Sequence, residues 1–232
     1  MKNWIGLLSL AVLAGCSSVG DGKVTTEKVT LDAFDTMQIT TPIDTYITVS
    51  PAHTNGLDIA IDQNLQGQVS YELTEGMLTI SSKDKIEPTS ASIYASSDTF
   101  DHLVLDKQTR AWLAIHQFDD FTISIKGTSE LNLSKVELED FTIDVAGQAD
   151  FHARGIVKNL VITISGSGDL DLSGLNSHKA SVTIIGNANV ILGTVNDLEV
   201  QISGSGDVKY KTGAQAMVQS YISGAGQVTA YK

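Results

Sequence analysis

The sequence predicts an all-β chain. Its larger part reads as a parallel β-solenoid with coils of about 20 residues, after an N-terminal part of shorter, irregular strands. Three observations predict this. Glycines recur at Gly127, Gly147, Gly166, Gly186, Gly204 and Gly224, spaced 18 to 20 residues apart. Apolar residues keep fixed offsets from each of those glycines, with the period of two that marks a strand. Beyond the first residues no stretch shows sustained helical periodicity, and only 3 prolines interrupt the chain.

The N-terminus is of a different kind. Met1-Lys2-Asn3 supplies a positive charge, and Trp4 to Ala14 is nearly all apolar. That run has the length of a signal-peptide core and is too short to span a bilayer. Leu13-Ala14-Gly15-Cys16 follows, and the order resembles the lipobox of bacterial lipoproteins, with cleavage before Cys16 and acylation, palmitate included, on its sulfur. A plain secretory signal with an incidental cysteine is the alternative. Cys16 is the only cysteine. Lipidation would account for a thiol that is otherwise stray in an exported protein, and it leaves no disulfide. Ser17, where an aspartate would resemble an inner-membrane retention signal, favours the outer membrane. The expected organisation is a signal peptide over 1–15, a lipidated N-terminus with a flexible tether over 16–30, and one β domain over 31–232.

Within that domain, short runs alternate with turn residues from Phe34 to Ile93. Met37-Gln38-Ile39, Tyr46-Ile47-Thr48-Val49, Leu57 to Ile61, Val69-Ser70-Tyr71 and Met77 to Ile80 read as strands. Gly76 and the Asn64 to Gly67 stretch read as hairpin turns.

The second half repeats. Two residues before each glycine stand Ile125, Val145, Ile164, Ile184, Ile202 and Ile222; four before stand Ile123, Ile143, Ile162, Val182, Val200 and Ser220. Four after stand Leu131, Phe151, Leu170, Val190, Val208 and Val228. A degenerate earlier copy spans Leu103 to Leu113, with Lys107 in the glycine place. Each repeat reads as a strand, a corner at the glycine, and a second strand, one coil of a stack. The glycine either takes positive φ or has no room for a Cβ. Six coils at the spacing of neighbouring strands rise about 29 Å. An antiparallel barrel of regular hairpins is the alternative, though hairpins do not hold apolar places in strict register over six copies.

Ile-Ser-Gly-Ser-Gly-Asp at 164–169 and 202–207, and Ile-Ser-Gly-Ala-Gly at 222–226, resemble the repeats of the head GIN domain family, a family named for auto-transporter adhesins. Phe34 to Ile39 and Glu75 to Ile80 are similar to its opening strands. The resemblance covers roughly residues 34–232 and implies a right-handed parallel β-helix on an envelope protein, often a lipoprotein. It implies no catalytic residues.

Three residues after each glycine stand Glu130, Asp150, Asp169, Asn189, Asp207 and Gln227, a polar ladder along one edge of a solenoid. Consecutive carboxylates suit calcium or a sugar. Asp and Asn also follow glycines because they favour tight turns, and exposed carboxylates one strand apart repel by only about 1 kcal/mol, so no ion is needed. The neighbouring row is Asn132, His152, Asp171, Ile191, Lys209 and Thr229. No pair among His53, His102, His116, His152 and His178 has metal-ligand spacing. The glycines match neither a dinucleotide loop nor a nucleophile elbow. Trp112, Tyr94, Tyr210, Tyr221 and Tyr231 are candidates for exposed aromatics that stack on sugar rings, with core or corner packing as the other use.

A formal net charge of −12 argues against nucleic acid and against docking on anionic lipid by charge. The sequence therefore reads as a non-catalytic envelope module for binding, adhesion or scaffolding, anchored by lipid and needing no cofactor or metal. A surface glycan or an envelope protein is its expected partner, with self-association through an end coil as a further possibility. A polysaccharide-active β-helix enzyme and an envelope assembly or stress accessory protein are the alternatives. Nearly uniform repeat lengths leave no long loop to build a catalytic cleft.

Overall fold

The computed structural model describes residues 18–83, 85–115 and 119–232. The expected signal peptide over 1–15, the expected lipidation site Cys16, and His116 lie outside the described residues. The strands are β1 (Ser18–Val19), β2 (Val24–Thr30), β3 (Thr36–Thr40), β4 (Thr45–Val49), β5 (Gly56–Asp62), β6 (Val69–Thr74), β7 (Met77–Ser82), β8 (Ile86–Glu87) and β9 (Ala91–Ser97). They continue with β10 (His102–Leu105), β11 (Gln108–Ile115), β12 (Asp120–Ile125), β13 (Thr128–Val145), β14 (Gln148–Ile164), β15 (Ser167–Ile184), β16 (Asn187–Ile202), β17 (Asp207–Ile222) and β18 (Val228–Tyr231). From β10 onward every pairing is parallel, which rules out the hairpin barrel.

The coil register follows the glycine alignment. Leu103, Ile123, Ile143, Ile162, Val182, Val200 and Ser220 stand opposite one another from coil to coil. Burial alternates along each side, so Phe141, Ile143 and Val145 point inward while Thr142 and Asp144 point outward. The coil has three sides, not the two the repeat suggested. Val136 and Leu138, Val157, Leu175 and Val195 are buried on a short third side. Changes in coil length are absorbed on either side of the short third side, at register shifts after Leu133, His152, Leu172 and Leu192 and, in the last coil, again after Val195. The glycine corner is constant and the opposite corner is variable.

Of the two reasons offered for the glycines, crowding is the operative one. Among described glycines, positive φ occurs at Gly22, Gly76, Gly155 and Gly168, and at none of the six corner glycines. A Cβ on Gly204 would stand 1.8 Å from the Gly186 carbonyl oxygen, and one on Gly186 would stand 1.8 Å from that of Gly166. Lys107, in the same place one coil before Gly127, is the member of the row with φ at 58°.

The solenoid also extends further toward the N-terminus than the repeat shows, and out of chain order. The β3–β4 coil lies between the β7–β9 coil and the β10–β11 coil, since Met37 faces Leu78 on one side and Leu103 on the other. Three sheet strands then close that end: β6 runs antiparallel to β7, β5 to β9, and β2 to β5. They cover the coil strands β9 and β7 and move the sheet edge outward to β2 and β6. Glu75-Gly76 forms the β6–β7 hairpin turn at positive φ, as expected. The Asn64 to Gly67 stretch instead lies in a 3-10 turn over Gln63–Gln68.

Residues 24–30, expected as tether, are the edge strand β2, and Ser18–Val19 pairs with β8. A buried carboxylate fastens this segment. Asp62 has no exposed surface and accepts hydrogen bonds from Gly22 N–H, Thr89 N–H and the Thr89 hydroxyl, each at 2.7 Å. Gly22 reaches it at φ 78°, and Gly20 approaches so closely that a Cβ there would overlap the carboxylate. The Thr89 hydroxyl first, then the backbone N–H groups, hold Asp62 below the ordinary aspartate value of 3.8. A depressed folded value means that this stabilisation is complete above the unfolded value and is lost as the pH falls through the folded one. Hydrogen exchange over residues 18–30, taken relative to the intrinsic rate at each pH, should therefore accelerate as the pH falls below 3.8. Asp62→Ala should produce the same acceleration at neutral pH while the solenoid amides stay protected.

Candidate functional site

The second side of the coil, between the constant and the variable corner, presents two outward rows. In the first, Glu130, Asp150, Asp169, Asn189 and Asp207 stand opposite one another as the sequence suggested. Gln227 closes the row by donating its N–H to Asp207 at 2.9 Å. The ladder is internally bonded, with Asn189 Nδ2 donating to Asp169 Oδ1 at 2.8 Å. It begins one coil earlier with a cation, Arg110, whose guanidinium meets Asp44 at 2.6 Å. Among the described residues, no three His, Cys, Asp or Glu side chains are arranged to hold a metal ion.

The second row joins aromatic and polar residues in one line. Asp58, Tyr94, Tyr46, Trp112, Asn132, His152, Asp171, Ile191, Lys209 and Thr229 occupy successive rungs. The three rings stack on each other. Tyr94 and Tyr46 have centroids 5.1 Å apart, and Tyr46 and Trp112 have theirs 4.9 Å apart, with planes within 17°. Such pairs contribute about 0.5–1.5 kcal/mol beyond the area they bury. Tyr94 is 52% exposed and Tyr46 36%, so the ladder stands on the surface. In the sequence Tyr46 reads only as part of a strand, not as a candidate surface aromatic. It is the middle ring, and its place shows only once the out-of-order coil is known.

Beyond Trp112 the row turns polar. His152 Nε2 lies 3.1 Å from Asp150 and its Nδ1 3.7 Å from Asp171, so the imidazole bridges the two rows. The Ser173 hydroxyl and N–H, and then His152, hold the Asp171 carboxyl below the usual carboxylate range. The variable corner completes a groove of about 620 Å³ lined by Tyr46, Trp112, Asn132, Ser134, His152, Arg154, Asp171 and Gly174 among others. The Arg154 stem lies over Gly174, where a Cβ would come within 2.7 Å of its Cγ. A second trough of about 730 Å³ runs along the third side, past Glu137, Glu139, Ile156, Lys158 and His178. Its cation is already engaged, with Lys158 Nζ 2.6 Å from Glu139.

The other sequence candidates are dispersed. His102 Nε2 meets the Ser124 hydroxyl at 3.1 Å and His178 Nδ1 meets Asn196 at 3.3 Å. His53 lies at the N-terminal end. Tyr231 is half-buried, and its hydroxyl donates to the Leu192 carbonyl at 2.7 Å, which pins the C-terminal strand. Tyr221 is exposed on the last coil beside Met217, Val218 and Ile222. There β18 covers β17 only at Val208–Lys211, and among the described residues no strand pairs the outer edge of Met217–Ile222.

Comparison with known proteins agrees with this architecture. The family model described as "Putative auto-transporter adhesin, head GIN domain" matches residues 33–214. A "putative adhesin" of Bacteroides fragilis superposes with a TM-score of 0.80 at 15% identity, covering 92% of this chain and 99% of that one. A "putative lipid binding protein" of Parabacteroides distasonis gives 0.71 at 17%, again covering 92% and 99%. A "putative adhesin" of the same species gives 0.64 at 21%, with the same coverage. No curated protein matches the chain. At these identities the solved structures speak for the fold alone.

Proposed function

The chain belongs to the head GIN domain family, and from that premise we propose that it is a lipid-anchored, non-catalytic adhesion module of the cell envelope, held through Cys16 and facing outward from the outer membrane. The observation that carries this reading is the second outward row: a surface line of stacked rings, exposed at Tyr94 and Tyr46 and half-buried at Trp112, running into polar and charged groups. Adhesion surfaces need such preformed aromatic anchors with a polar surround. Catalysis needs more, namely a nucleophile or an acid–base pair aimed at one point and shielded from water. On this face no nucleophile stands beside His152 among the groove's lining residues, and the groove is open along the coil. The family's description as an auto-transporter adhesin domain supports adhesion. The test is attachment of cells displaying the protein to host or bacterial surfaces, compared with cells lacking it. Equal attachment, or turnover of an envelope polysaccharide by the purified protein, overturns the proposal.

A second reading has its own observation, the unpaired edge at Met217–Ile222 with four exposed apolar side chains. An open edge of this kind accepts a further strand. Self-association there would place two copies end to end. Deleting residues 228–232, which removes the strand anchored by Tyr231, should change the sedimentation behaviour of the protein. Changes within the Glu130, Asp150, Asp169 ladder should leave it as it is.

A further inference from the structure

One rung of the second row is empty of a ring, and this inference deepens the adhesion reading on which it rests. Trp112 stacks on Tyr46 with one face. Its other face looks along the row to Asn132, whose short side chain stands where a fourth ring would lie, and then to His152. Two strand spacings separate Trp112 from His152, about 9.6 Å. The existing rings repeat at 5.1 and 4.9 Å. A six-membered ring entering at the Asn132 rung would therefore meet the indole at the stacking distance already used twice, with His152 on its far side.

The polar groups around this gap say what kind of ring fits. Asn132 offers both a donor and an acceptor at the floor. Asp171 accepts, and His152 stands with its Nε2 3.1 Å from Asp150. Arg154 stands at the groove wall, and among the described residues its guanidinium has no ion-pair or hydrogen-bond partner. A purely aromatic ligand would cover these groups without satisfying them, which costs free energy for each one buried. A phosphate would bring up to two charges against the acidic ladder with Arg154 alone to meet them, while a neutral sugar brings none and a uronate one. A pyranose has an apolar C–H face for the indole and equatorial hydroxyls for Asn132 and Asp171.

We propose that the gap between Trp112 and His152 binds one pyranose unit of a surface polysaccharide, with Arg154 meeting the adjoining unit. Calorimetric titration of the purified protein with chito-, manno- and xylo-oligosaccharides and with oligogalacturonates tests this. At least one of these should bind saturably. Trp112→Ala should weaken that binding at least tenfold and Trp112→Tyr much less. Asn132→Trp fills the empty rung with a fourth ring and should abolish binding while the melting temperature holds or rises, an outcome that a merely structural ladder does not produce. Arg154→Gln should weaken oligogalacturonate binding more than neutral-sugar binding. If none of the saccharides binds, if binding survives Asn132→Trp, or if Trp112 is needed for attachment to lipid vesicles instead, the proposal is overturned. Cell attachment that persists in both the Trp112→Ala and Asn132→Trp variants overturns the sugar site and leaves the adhesion reading standing. Absence of attachment by the unmodified protein overturns the adhesion reading itself.

Discussion

Gly204→Val is expected to destabilise the protein by about 3 kcal/mol or more, at the upper end of what overpacking costs. The reason is a single atom. The Gly186 carbonyl oxygen accepts the Ser205 N–H at 3.1 Å, and a Cβ on residue 204 would stand 1.8 Å from that same oxygen. No rotamer relieves the clash, because Cβ is fixed by the backbone and its neighbour is backbone too. The coils would have to part locally, which would also loosen Ala225 N–H from the Gly204 carbonyl at 3.0 Å. Gly204→Ala should carry most of the penalty, since the first carbon makes the clash; a penalty that appeared only with Val would point to the branches beyond Cβ instead. Lys209→Gln, on the exposed row two rungs beyond Asp171, should stay within about 0.5 kcal/mol. Denaturant midpoints of the three variants measure this. Equal midpoints would mean that the stacking of the glycine corner is wrong.

The repeat was legible because each coil presents the same inward places to its neighbours, and chain order equals stacking order from β10 onward. Six glycines and their flanking Ile, Val and Leu residues are enough to set that register. The first two coils were illegible for the opposite reason. Met37 pairs with Leu78 and Leu103, residues far apart in the chain, so no fixed period connects them. The third side of the coil was missed because Val136 and Leu138 are too few to display a period of their own beside a corner whose length varies.

The candidate site inherits both effects. Its polar half, Asn132, His152 and Asp171, lies on sequential coils and could be aligned by eye. Its aromatic half needs Tyr46 and Tyr94 brought beside Trp112 by the out-of-order coil. Trp112 and Tyr94 could be suspected singly as surface aromatics, but only the three-dimensional stack makes them a continuous feature with an open end. The tether was misread for a different physical reason. Small polar residues such as Gly20, Asp21 and Gly22 have the composition of a linker, yet here their smallness is what lets the chain approach Asp62.

That correction sharpens what the anchor should do. Cys16→Ser is expected to abolish incorporation of a clickable fatty acid and to block cleavage before residue 16, leaving a longer chain that still carries the apolar run from Trp4 to Ala14, whereas acyl chains on Cys16 would supply roughly 0.8 kcal/mol per buried CH₂. Among the described residues no helix is long and apolar enough to cross a membrane. One residue, Ser17, separates Cys16 from the docked chain, where Ser18 N–H donates to the Lys85 carbonyl at 3.1 Å and Gly20 N–H to that of Glu87 at 2.9 Å. The lipid would thus hold the capped end of the solenoid against the bilayer and leave the open Met217–Ile222 end pointing away, toward partners. Asp62→Ala separates the two roles. It should keep the label and the membrane fraction yet expose residues 18–30 to protease, since it frees the clasp without touching the acylated residue. Label persisting in Cys16→Ser would overturn the anchor. Label and membrane retention lost in Asp62→Ala would mean that the folded clasp, and not Cys16 alone, is what the acylation machinery reads.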